Sequence, residues 1–334
     1  MAKQKTKKKP SLCKRLLKGL YILLVVISIL IVGMYIAFEL FVGPPDVEAQ
    51  VTFPPAPPPQ SSDSGAPLPT EEPPIVYTRR EGVYTCLIAG SDDGNGKADT
   101  IMLGCFDVGS KTASLISIPR DTLVNINGKH WKVNAAYGLG GMELVRETVS
   151  RTLGIPVDYY VSVDLKAFQR IVDRIGGVWF DVPVDMHYED PTQDLIIHVD
   201  KGYQRLNGEA AMGVVRFRSG YASQDLGRVN TQRQFLVALV KQTVTASNVD
   251  KVADLISILR EYVKTDMPLD IMLYFATAAV GMDLEQSLSS ATLPSDWLSP
   301  YLELRDDEVV EMVNRLLPVY TEPVTADIMD IQHR

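Results

Sequence analysis

Two aspartates flank a polar loop that joins two apolar segments of the sequence. The loop covers residues 90–100, with Asp92 near its start and Asp99 near its end. If the apolar segments pair as strands, the two carboxylates come close together, and carboxylate oxygens suit Mg²⁺ (or Mn²⁺). The loop is equally typical of an ordinary acidic turn, because Asp, Asn and Gly are common turn residues. The spacing by itself leaves both interpretations open.

Arg120 and Asp121 closely follow an apolar segment that ends at Ile118. A cation in the loop after a strand is typical of ligand-binding positions in open α/β sheets. The alternative is a surface ion pair between Arg120 and a nearby acid. Further along, the glycines of residues 138–141 open a helix, where backbone amides can approach an anion. Simple loop geometry would call for the same glycines.

A third polar cluster is rich in arginine. Arg216 and Arg218 share a face only where the backbone is extended, whereas Arg228 and Gln232 are four residues apart and share one face of a helix. Asp225 precedes them at a position suited to cap that helix. The planar guanidinium matches a phosphate with two parallel hydrogen bonds. The competing interpretation is a solvated charged face with local ion pairs.

Together these residues indicate a divalent cation flanked by arginines, an arrangement suited to phosphoryl transfer. The sequence has no P-loop, no kinase signature, no Gly-x-Ser-x-Gly and no His-Glu-x-x-His. Its four histidines show no metal-binding spacing. The residues therefore predict phosphoryl transfer without one of the common nucleotide-binding or hydrolase motifs.

Residues 81–320 carry the periodic patterns that must position these groups. Short apolar runs predict strands, and apolar residues at helical spacing predict helices. The predicted strands are Val83–Ala89, Thr100–Phe106, Thr112–Ile118, Tyr159–Val163 and Val178–Val182, and the predicted helices are Gly141–Leu153, Leu165–Ile175 and those at about 208–215, 228–247, 250–263, 268–281 and 306–317. Their alternation predicts one α/β (α+β) domain with a central mixed β-sheet covered by helices. Residues 321–334 are interpreted as a polar C-terminal tail.

Three cysteines are too few to staple a chain of 334 residues. Cys86 and Cys105 lie on two successive predicted strands, and antiparallel pairing could place them opposite each other. A disulfide and two buried free thiols are both consistent with this pattern, and free thiols are the plainer interpretation. Cys13 lies in the basic N-terminal segment.

The N-terminal residues predict a membrane anchor. Residues 1–18 hold eight Lys and Arg and no acid, and twenty uncharged residues follow. About 20 apolar residues span a bilayer core, and this stretch is longer than the apolar part of a cleaved signal peptide. We therefore expect a cytoplasmic tail over residues 1–18 and a signal anchor over residues 19–43. By the positive-inside rule the rest is extracellular, on a single-pass protein of the cell membrane.

Residues 44–80 hold eleven prolines and predict an extended spacer that buries no core. Beyond residue 18 the chain carries 25 basic and 41 acidic residues. This acidic balance argues against a nucleic-acid partner. An arginine cluster inside an acidic domain therefore indicates a specific anion rather than a general basic surface.

Taken together, the motifs resemble the LytR-CpsA-Psr family of Gram-positive cell-wall ligases. The resemblance covers about residues 83–320 and rests on Gly90–Asp92, Asp99–Leu103, Ser117–Thr122, Lys132–Tyr137, Gly154–Tyr160, Leu206–Ala210 and the series Arg216, Arg218, Asp225, Arg228 and Gln232. It implies an enzyme that takes a glycopolymer (a teichoic acid, capsule or related polysaccharide) from undecaprenyl pyrophosphate. The phospho-glycan would pass to a hydroxyl of peptidoglycan, beside the lipid bilayer and with no nucleotide.

The same resemblance implies roles for individual residues. Asp92 and Asp99 would hold Mg²⁺, and the pyrophosphate would be clamped by Arg120, Arg216, Arg218 and Arg228, with Asp225 and Gln232 orienting or assisting them. Lys97 stands where the family often has an arginine, so it would contact the pyrophosphate without the two-pronged guanidinium. A difference in rate or substrate preference is the expected consequence. The sequence does not name the base: Asp121 or Asp225 could take the acceptor proton, or stabilisation by the metal and the arginines could suffice.

Two other functions fit parts of the sequence. The same site could hydrolyse lipid pyrophosphates with water as the acceptor. A membrane-bound envelope regulator, or transcriptional attenuator, is a non-enzymatic alternative, although the 18-residue cytoplasmic tail argues against direct contact with DNA. The identity of the glycopolymer and the oligomeric state cannot be inferred from the sequence.

Overall fold

The computed structural model describes residues 41–53, 75–91, 98–190, 195–217, 225–243, 261 and 263–334. The chain divides into two compact units, Met1–Pro45 and Asp46–Arg334. The predicted cytoplasmic tail and nearly all of the predicted anchor lie outside the described residues, as does most of the predicted helix at 250–263. Within the described ranges, no helix combines the length and the apolar character needed to cross a bilayer.

The second unit alternates short strands with helices. In chain order the strands are β1 (Gln50–Phe53), β2 (Ile75–Thr78), β3 (Val83–Ser91), β4 (Ala98–Asp107), β5 (Thr112–Ser117), β6 (Leu123–Ile126), β7 (Lys129–Lys132), β8 (Tyr159–Asp164), β9 (Val178–Val182), β10 (Met186–Asp190), β11 (Leu195–Val199), β12 (Gly202–Leu206), β13 (Val263–Thr265), β14 (Leu288–Thr292), β15 (Ser295–Leu298) and β16 (Tyr301–Leu304). The helices are α1 (Ala135–Leu153), α2 (Leu165–Arg174), α3 (Gly208–Arg216), α4 (Asp225–Thr243), α5 (Leu269–Ala279), α6 (Leu284–Ser287) and α7 (Asp306–Leu316).

Six strands form the central sheet, in the order β13–β8–β3–β4–β5–β14. Strand β8 is parallel to β3, and β14 is parallel to β5, whereas β4 is antiparallel to both of its neighbours and β13 is antiparallel to β8. Strands β3, β5, β8 and β14 therefore all finish at one end, here called the carboxyl end of the sheet. The predicted fold class, an α/β (α+β) domain with a central mixed sheet covered by helices, is confirmed.

Alternation along β4 separates the two faces of this sheet. Ile101, Leu103 and Cys105 belong to the main hydrophobic core, and Thr100 and Met102 point to the other face. Helices α1 and α7 cover the first face. The stripe predicted for α1 is buried there, and it comprises Met142, Val145, Val149 and Leu153.

Helix α1 begins earlier than the sequence pattern predicts. It starts at Ala135 rather than Gly141, and its backbone departs from helical geometry at Gly140 and Gly141. Gly141 adopts a φ of +65°, a left-handed conformation that glycine tolerates without strain. The predicted start is therefore a kink within a longer helix.

A second hydrophobic core fixes α4 in place. The ring of Phe235 on α4 lies 5.3 Å from that of Phe180 and 5.6 Å from that of Phe168, measured between ring centroids. Val172 and Val214 are buried in the same cluster. Packing of these side chains orients the helix that carries Arg228 and Gln232.

The range expected to be a spacer, residues 44–80, contains a pair of strands. Strand β1 pairs antiparallel with β2, from Gln50 opposite Thr78 to Phe53 opposite Ile75. The Phe53 ring lies 5.8 Å from Tyr77 and 6.5 Å from Tyr320, so apolar side chains of this range join the main core. Proline content conceals this pairing because the two strands are only four residues each.

The C-terminal residues also contribute to the core. Val324 and Ile328 are buried, and the side chain of Asn314 bonds both the carbonyl and the N–H of Val324. Their surroundings are polar in sequence, so no periodic pattern marks the two apolar side chains. The structure therefore packs part of the predicted polar tail against α7.

Cys86 and Cys105 are both free. The expected antiparallel pairing of their strands is present, but Cys86 lies opposite Gly104 and Cys105 lies opposite Thr85. The two thiols therefore sit one register position apart and point to opposite faces of the sheet. This geometry excludes the disulfide that the sequence left open.

Candidate functional site

The carboxyl end of the sheet collects the polar residues singled out in the sequence. Strand β4 begins there at Ala98, followed by Asp99 and Thr100, and the loop carrying Arg120 and Asp121 follows the end of β5. Side chains that follow parallel strands at one end of a sheet commonly form ligand sites. Asp92 and Lys97 belong to the intervening loop and lie outside the described residues.

Asp99 and Arg120 form an ion pair across this end. Arg120 Nη1 donates to Asp99 Oδ1 over 2.8 Å, and both side chains are partly exposed. The Arg120 loop is fixed by its backbone, because the N–H and the hydroxyl of Thr122 both donate to the Pro119 carbonyl. The Asn134 N–H donates to the Arg120 carbonyl over 3.2 Å. The guanidinium therefore extends from an ordered turn beside a carboxylate.

Asp121 contacts two cations. Lys132 Nζ lies 2.9 Å from Asp121 Oδ1, and Arg120 Nε lies 3.9 Å from Oδ2. In the β6–β7 pairing Lys132 lies opposite Leu123. Because Leu123 is only two residues after Asp121, the pairing places Lys132 close to Asp121. Asp99, Arg120, Asp121 and Lys132 thus form a row of alternating charges.

Sequence reasoning gave Lys132 no role, although a turn signal was available. Asn127 and Gly128 separate two short β-like runs, and Asn-Gly is a strong signal for a two-residue hairpin. Both residues have positive φ, at 53° and 75°. Recognising this hairpin would have predicted that Lys132 lies near Asp121.

The arginine cluster is divided between α3 and α4. Arg216 is the last residue of α3, and the backbone leaves the helix at Phe217, with φ −62° and ψ 128°. This is the extended geometry that the Arg216-x-Arg218 pattern requires, although Arg218 itself lies outside the described residues. Asp225 is the first residue of α4, and its side chain also lies outside the described part.

Arg228 and Gln232 are buried on α4. The Arg228 side chain is only 2% exposed. Gln232 accepts from the Thr100 hydroxyl at Oε1 over 3.0 Å and donates from Nε2 to the Val215 carbonyl over 2.8 Å. These bonds bring α4, the end of α3 and the start of β4 together. Thr100, like Lys132, is a site neighbour to which sequence reasoning assigned no role.

A neighbouring arginine on α4 serves a different surface. Arg233 contacts the Ser290 hydroxyl on β14 and donates to Asn230 Oδ1. Desolvation by burial lowers the pKa of its guanidinium. Arg233 thus binds α4 to the edge of the sheet rather than to the Asp99–Arg120 pair.

The donor chemistry at Asp99 fits Mg²⁺. Its carboxylate supplies hard oxygens, and Mg²⁺ commonly binds one or two protein carboxylates together with substrate phosphates. Among the described residues, no group of three or more His, Cys, Asp or Glu is arranged to hold a metal ion.

Known proteins resemble this chain in sequence and in fold. The regulatory protein MsrR of Staphylococcus aureus (strain COL) is 34% identical over 223 residues, covering 65% of this chain and 66% of MsrR. Bacillus subtilis (strain 168) TagV, a polyisoprenyl-teichoic acid–peptidoglycan teichoic acid transferase, is 34% identical over 202 residues, covering 58% of this chain and 52% of TagV. The chain thus spans just under two thirds of MsrR and about half of TagV.

Solved structures extend this likeness to three dimensions. The crystal structure of B. subtilis TagV superposes with a TM-score of 0.63 at 28% identity, covering 72% of this chain and 97% of that one. A structure of TagT bound to LI-WTA gives a TM-score of 0.58 at 25% identity, covering 71% and 90%. The family model of LytR_cpsA_psr matches residues 60–316. Since this match covers most of the sequence, the chain belongs to the LytR_cpsA_psr family.

Proposed function

We propose that this protein is a membrane-anchored glycopolymer transferase. It moves a phospho-glycan from an undecaprenyl-pyrophosphate carrier to peptidoglycan. The name of its relative TagV, a polyisoprenyl-teichoic acid–peptidoglycan teichoic acid transferase, supports this proposal. The observation that carries the proposal is the pair of Gln232 hydrogen bonds. They hold the helices of Arg216 and Arg228 against the strand that starts beside the Asp99–Arg120 ion pair.

In this proposal the arginines bind the pyrophosphate. Arg120, Arg216 and Arg228, with Arg218 and Lys97 outside the described residues, neutralise its charge and fix its orientation. Arg228 is buried on α4, one turn before Gln232, so packing fixes its position before a substrate binds. Guanidinium groups fixed before the substrate arrives also stabilise charge that develops on the leaving phosphate.

The reaction exchanges a phosphoanhydride bond of the donor for a phosphate ester bond to the acceptor. The oxygen of a peptidoglycan hydroxyl attacks the phosphorus bonded to the glycan, and the bond from that phosphorus to the bridging oxygen breaks. Polyprenyl phosphate leaves, and the hydroxyl proton passes to a base. Asp121 is engaged by Lys132 and Arg120, so we assign it to positioning Arg120. Asp225 is then the candidate that accepts the proton.

Asp99, together with Asp92, would hold Mg²⁺. When bound, the cation supplies further neutralisation of the pyrophosphate charge. The Asp99–Arg120 contact places a guanidinium beside this carboxylate, so that both can serve one ligand. We also propose that residues 19–43 anchor the chain in the cell membrane, with the family domain outside.

The test is a transfer assay with full-length protein in detergent. A labelled polyprenyl-pyrophosphate glycan is the donor, purified peptidoglycan is the acceptor, and Mg²⁺ is present. We expect label covalently attached to peptidoglycan, with release of polyprenyl phosphate. Arg120→Ala and Arg216→Ala should each lower the rate roughly 10- to 100-fold, the usual loss for a hydrogen bond to a charged group.

Arg315→Ala is the matched control, because Arg315 is an exposed arginine of α7 paired only loosely with Glu311. It should transfer at the wild-type rate. If the label always appears as free glycan phosphate, whether or not peptidoglycan is added, the protein is a lipid-pyrophosphate hydrolase. If neither product forms and no pyrophosphate binds, the regulatory alternative gains support.

A further inference from the structure

Thr100 follows Asp99 on β4, and its side chain lies on the face of the sheet away from the main hydrophobic core. The Thr100 hydroxyl donates a hydrogen bond to Oε1 of Gln232 on α4. Nε2 of the same Gln232 side chain donates to the Val215 carbonyl of α3. The Val215 carbonyl can only accept a hydrogen bond, so the Gln232 side chain must turn its amide nitrogen toward it. The amide oxygen is then directed to the Thr100 hydroxyl, which donates.

The Val215 carbonyl is one that α3 cannot satisfy by itself. The last four carbonyls of a helix have no partner within it, and α3 ends at the next residue, Arg216. Gln232 therefore supplies a donor at the point where the chain turns out of the helix. Arg228 lies one turn before Gln232 on α4, so a single amide fixes the backbone that carries both arginines.

Strand β3 makes room for this arrangement. Gly90 lies opposite Thr100 in the β3–β4 register. A Cβ atom at Gly90 would lie 3.1 Å from the Thr100 Cβ and 3.4 Å from its hydroxyl oxygen. Those distances are tighter than ordinary van der Waals contact, so a larger residue would displace the threonine side chain.

We propose that Thr100, Gln232 and the Val215 carbonyl form a positioning latch, which sets Arg216 and Arg228 relative to the Asp99–Arg120 ion pair. The latch rests on the pyrophosphate clamp proposed above. Thr100 and Gln232 act through the arginines, and neither needs to touch the substrate. The latch extends to Thr100 the orienting role that the family resemblance implies for Gln232.

The test removes the Thr100 hydroxyl with little change of shape, as Thr100→Val. Amide hydrogen exchange is measured in the full chain at Phe217, whose N–H donates to the Gly213 carbonyl in the last turn of α3. We expect exchange about 10-fold faster, and affinity for farnesyl pyrophosphate about 10-fold weaker, the usual effect of leaving a buried polar group unpaired. Thr100→Ser should restore both, and Gly90→Ala should reproduce both defects.

Thr85→Val is the matched control. It removes another buried threonine hydroxyl from the same sheet, one that bonds the Pro156 carbonyl far from the carboxyl end. It should lower thermal stability while leaving Phe217 exchange and pyrophosphate affinity unchanged. The latch is disproved if Thr100→Val leaves Phe217 exchange or pyrophosphate affinity at wild-type values, or matches Thr85→Val. Wild-type protein that binds no pyrophosphate would instead contradict the proposed function, while the exchange result still decides whether the latch exists.

Discussion

Arg79 and Asp158 show how strongly one buried pair can hold this domain. The guanidinium and carboxylate meet at 2.5 and 2.9 Å, and their side chains are 4% and 6% exposed. Arg79 also donates to the Val83 carbonyl, and Asp158 accepts from the Thr85 N–H. The pair therefore joins the segment after β2 to the starts of β3 and β8.

Removing one member of this pair should be costly. Arg79→Met leaves a buried carboxylate without its guanidinium and should lower the free energy of unfolding by about 3–5 kcal/mol. Adding Asp158→Asn should cost much less than the sum of the two single changes, since the uncompensated charge is then gone. Urea denaturation of the two single variants and the double variant measures this. Strictly additive losses would contradict the pairing.

At the scale of elements, the β6–β7 hairpin positions the Arg120 loop. Its turn residue Gly128 has a φ of +75°, and no atom crowds the place of a Cβ there. A substitution at Gly128 therefore lowers stability only through the strain of a left-handed backbone, with no steric clash. The hairpin matters to the site because it delivers Lys132 to Asp121.

Gly128→Ala should lower stability by about 1 kcal/mol, since alanine avoids left-handed backbone. We expect it to weaken the Lys132–Asp121 contact and to reduce transfer activity by a fewfold. Gly109→Ala is the control for simple substitution, because Gly109 lies in another turn and its own φ is not positive. Thermal melting and the transfer assay measure the two effects. A Gly128→Ala variant with unchanged stability would argue against the turn geometry.

The sequence predicted individual strands and helices better than it predicted the contacts between them. The apolar patterns of β3, β4 and α1 were recognisable, because each element buries a continuous apolar stripe. Strands β1 and β2 did not, because four-residue strands beside prolines have no recognisable period. The sequence allowed an ion pair between Arg120 and a nearby acid, but it did not identify Asp99 as that acid. The Thr100–Gln232 contact could not be predicted, because 132 residues separate the two positions and no local pattern specifies which helix covers which face.

The whole molecule should lose stability at alkaline pH. Burial raises the pKa of the Cys86 and Cys105 thiols to about 12, and burial with a lesser effect of Tyr274 raises the pKa of Tyr84 to about 12. Each group binds its proton more tightly when folded than when unfolded. Its stabilising contribution is therefore complete below the unfolded pKa, near 9 for thiols and 10 for tyrosine, and is lost as pH rises toward 12.

Urea denaturation between pH 8 and pH 11.5 tests this. The midpoint should fall steadily above about pH 9, and Tyr84→Phe should show a shallower fall because one of the three groups no longer titrates. In native protein at pH 8, with Cys13→Ser and Cys86→Ser so that only the thiol of Cys105 is left, a thiol reagent should react slowly until urea is added. Rapid labelling without urea would contradict the burial of Cys105.

The β1–β2 pairing also has a mechanical consequence. Because Gln50 lies opposite Thr78, a pull on the chain from residue 46 opens the ladder one residue pair at a time, which is the weakest direction in which to load it. Strand β2 stays attached on its other side, where the Thr321 N–H donates to the Thr78 carbonyl. Peeling β1 therefore frees residues 50–74, adding roughly 85 Å of length at about 3.4 Å per residue.

A single-molecule pulling experiment between residues 46 and 334 should show this step before any larger one, and Phe53→Ala should lower its force. Under tension the chain would thus lengthen by the release of β1 before the central sheet begins to open.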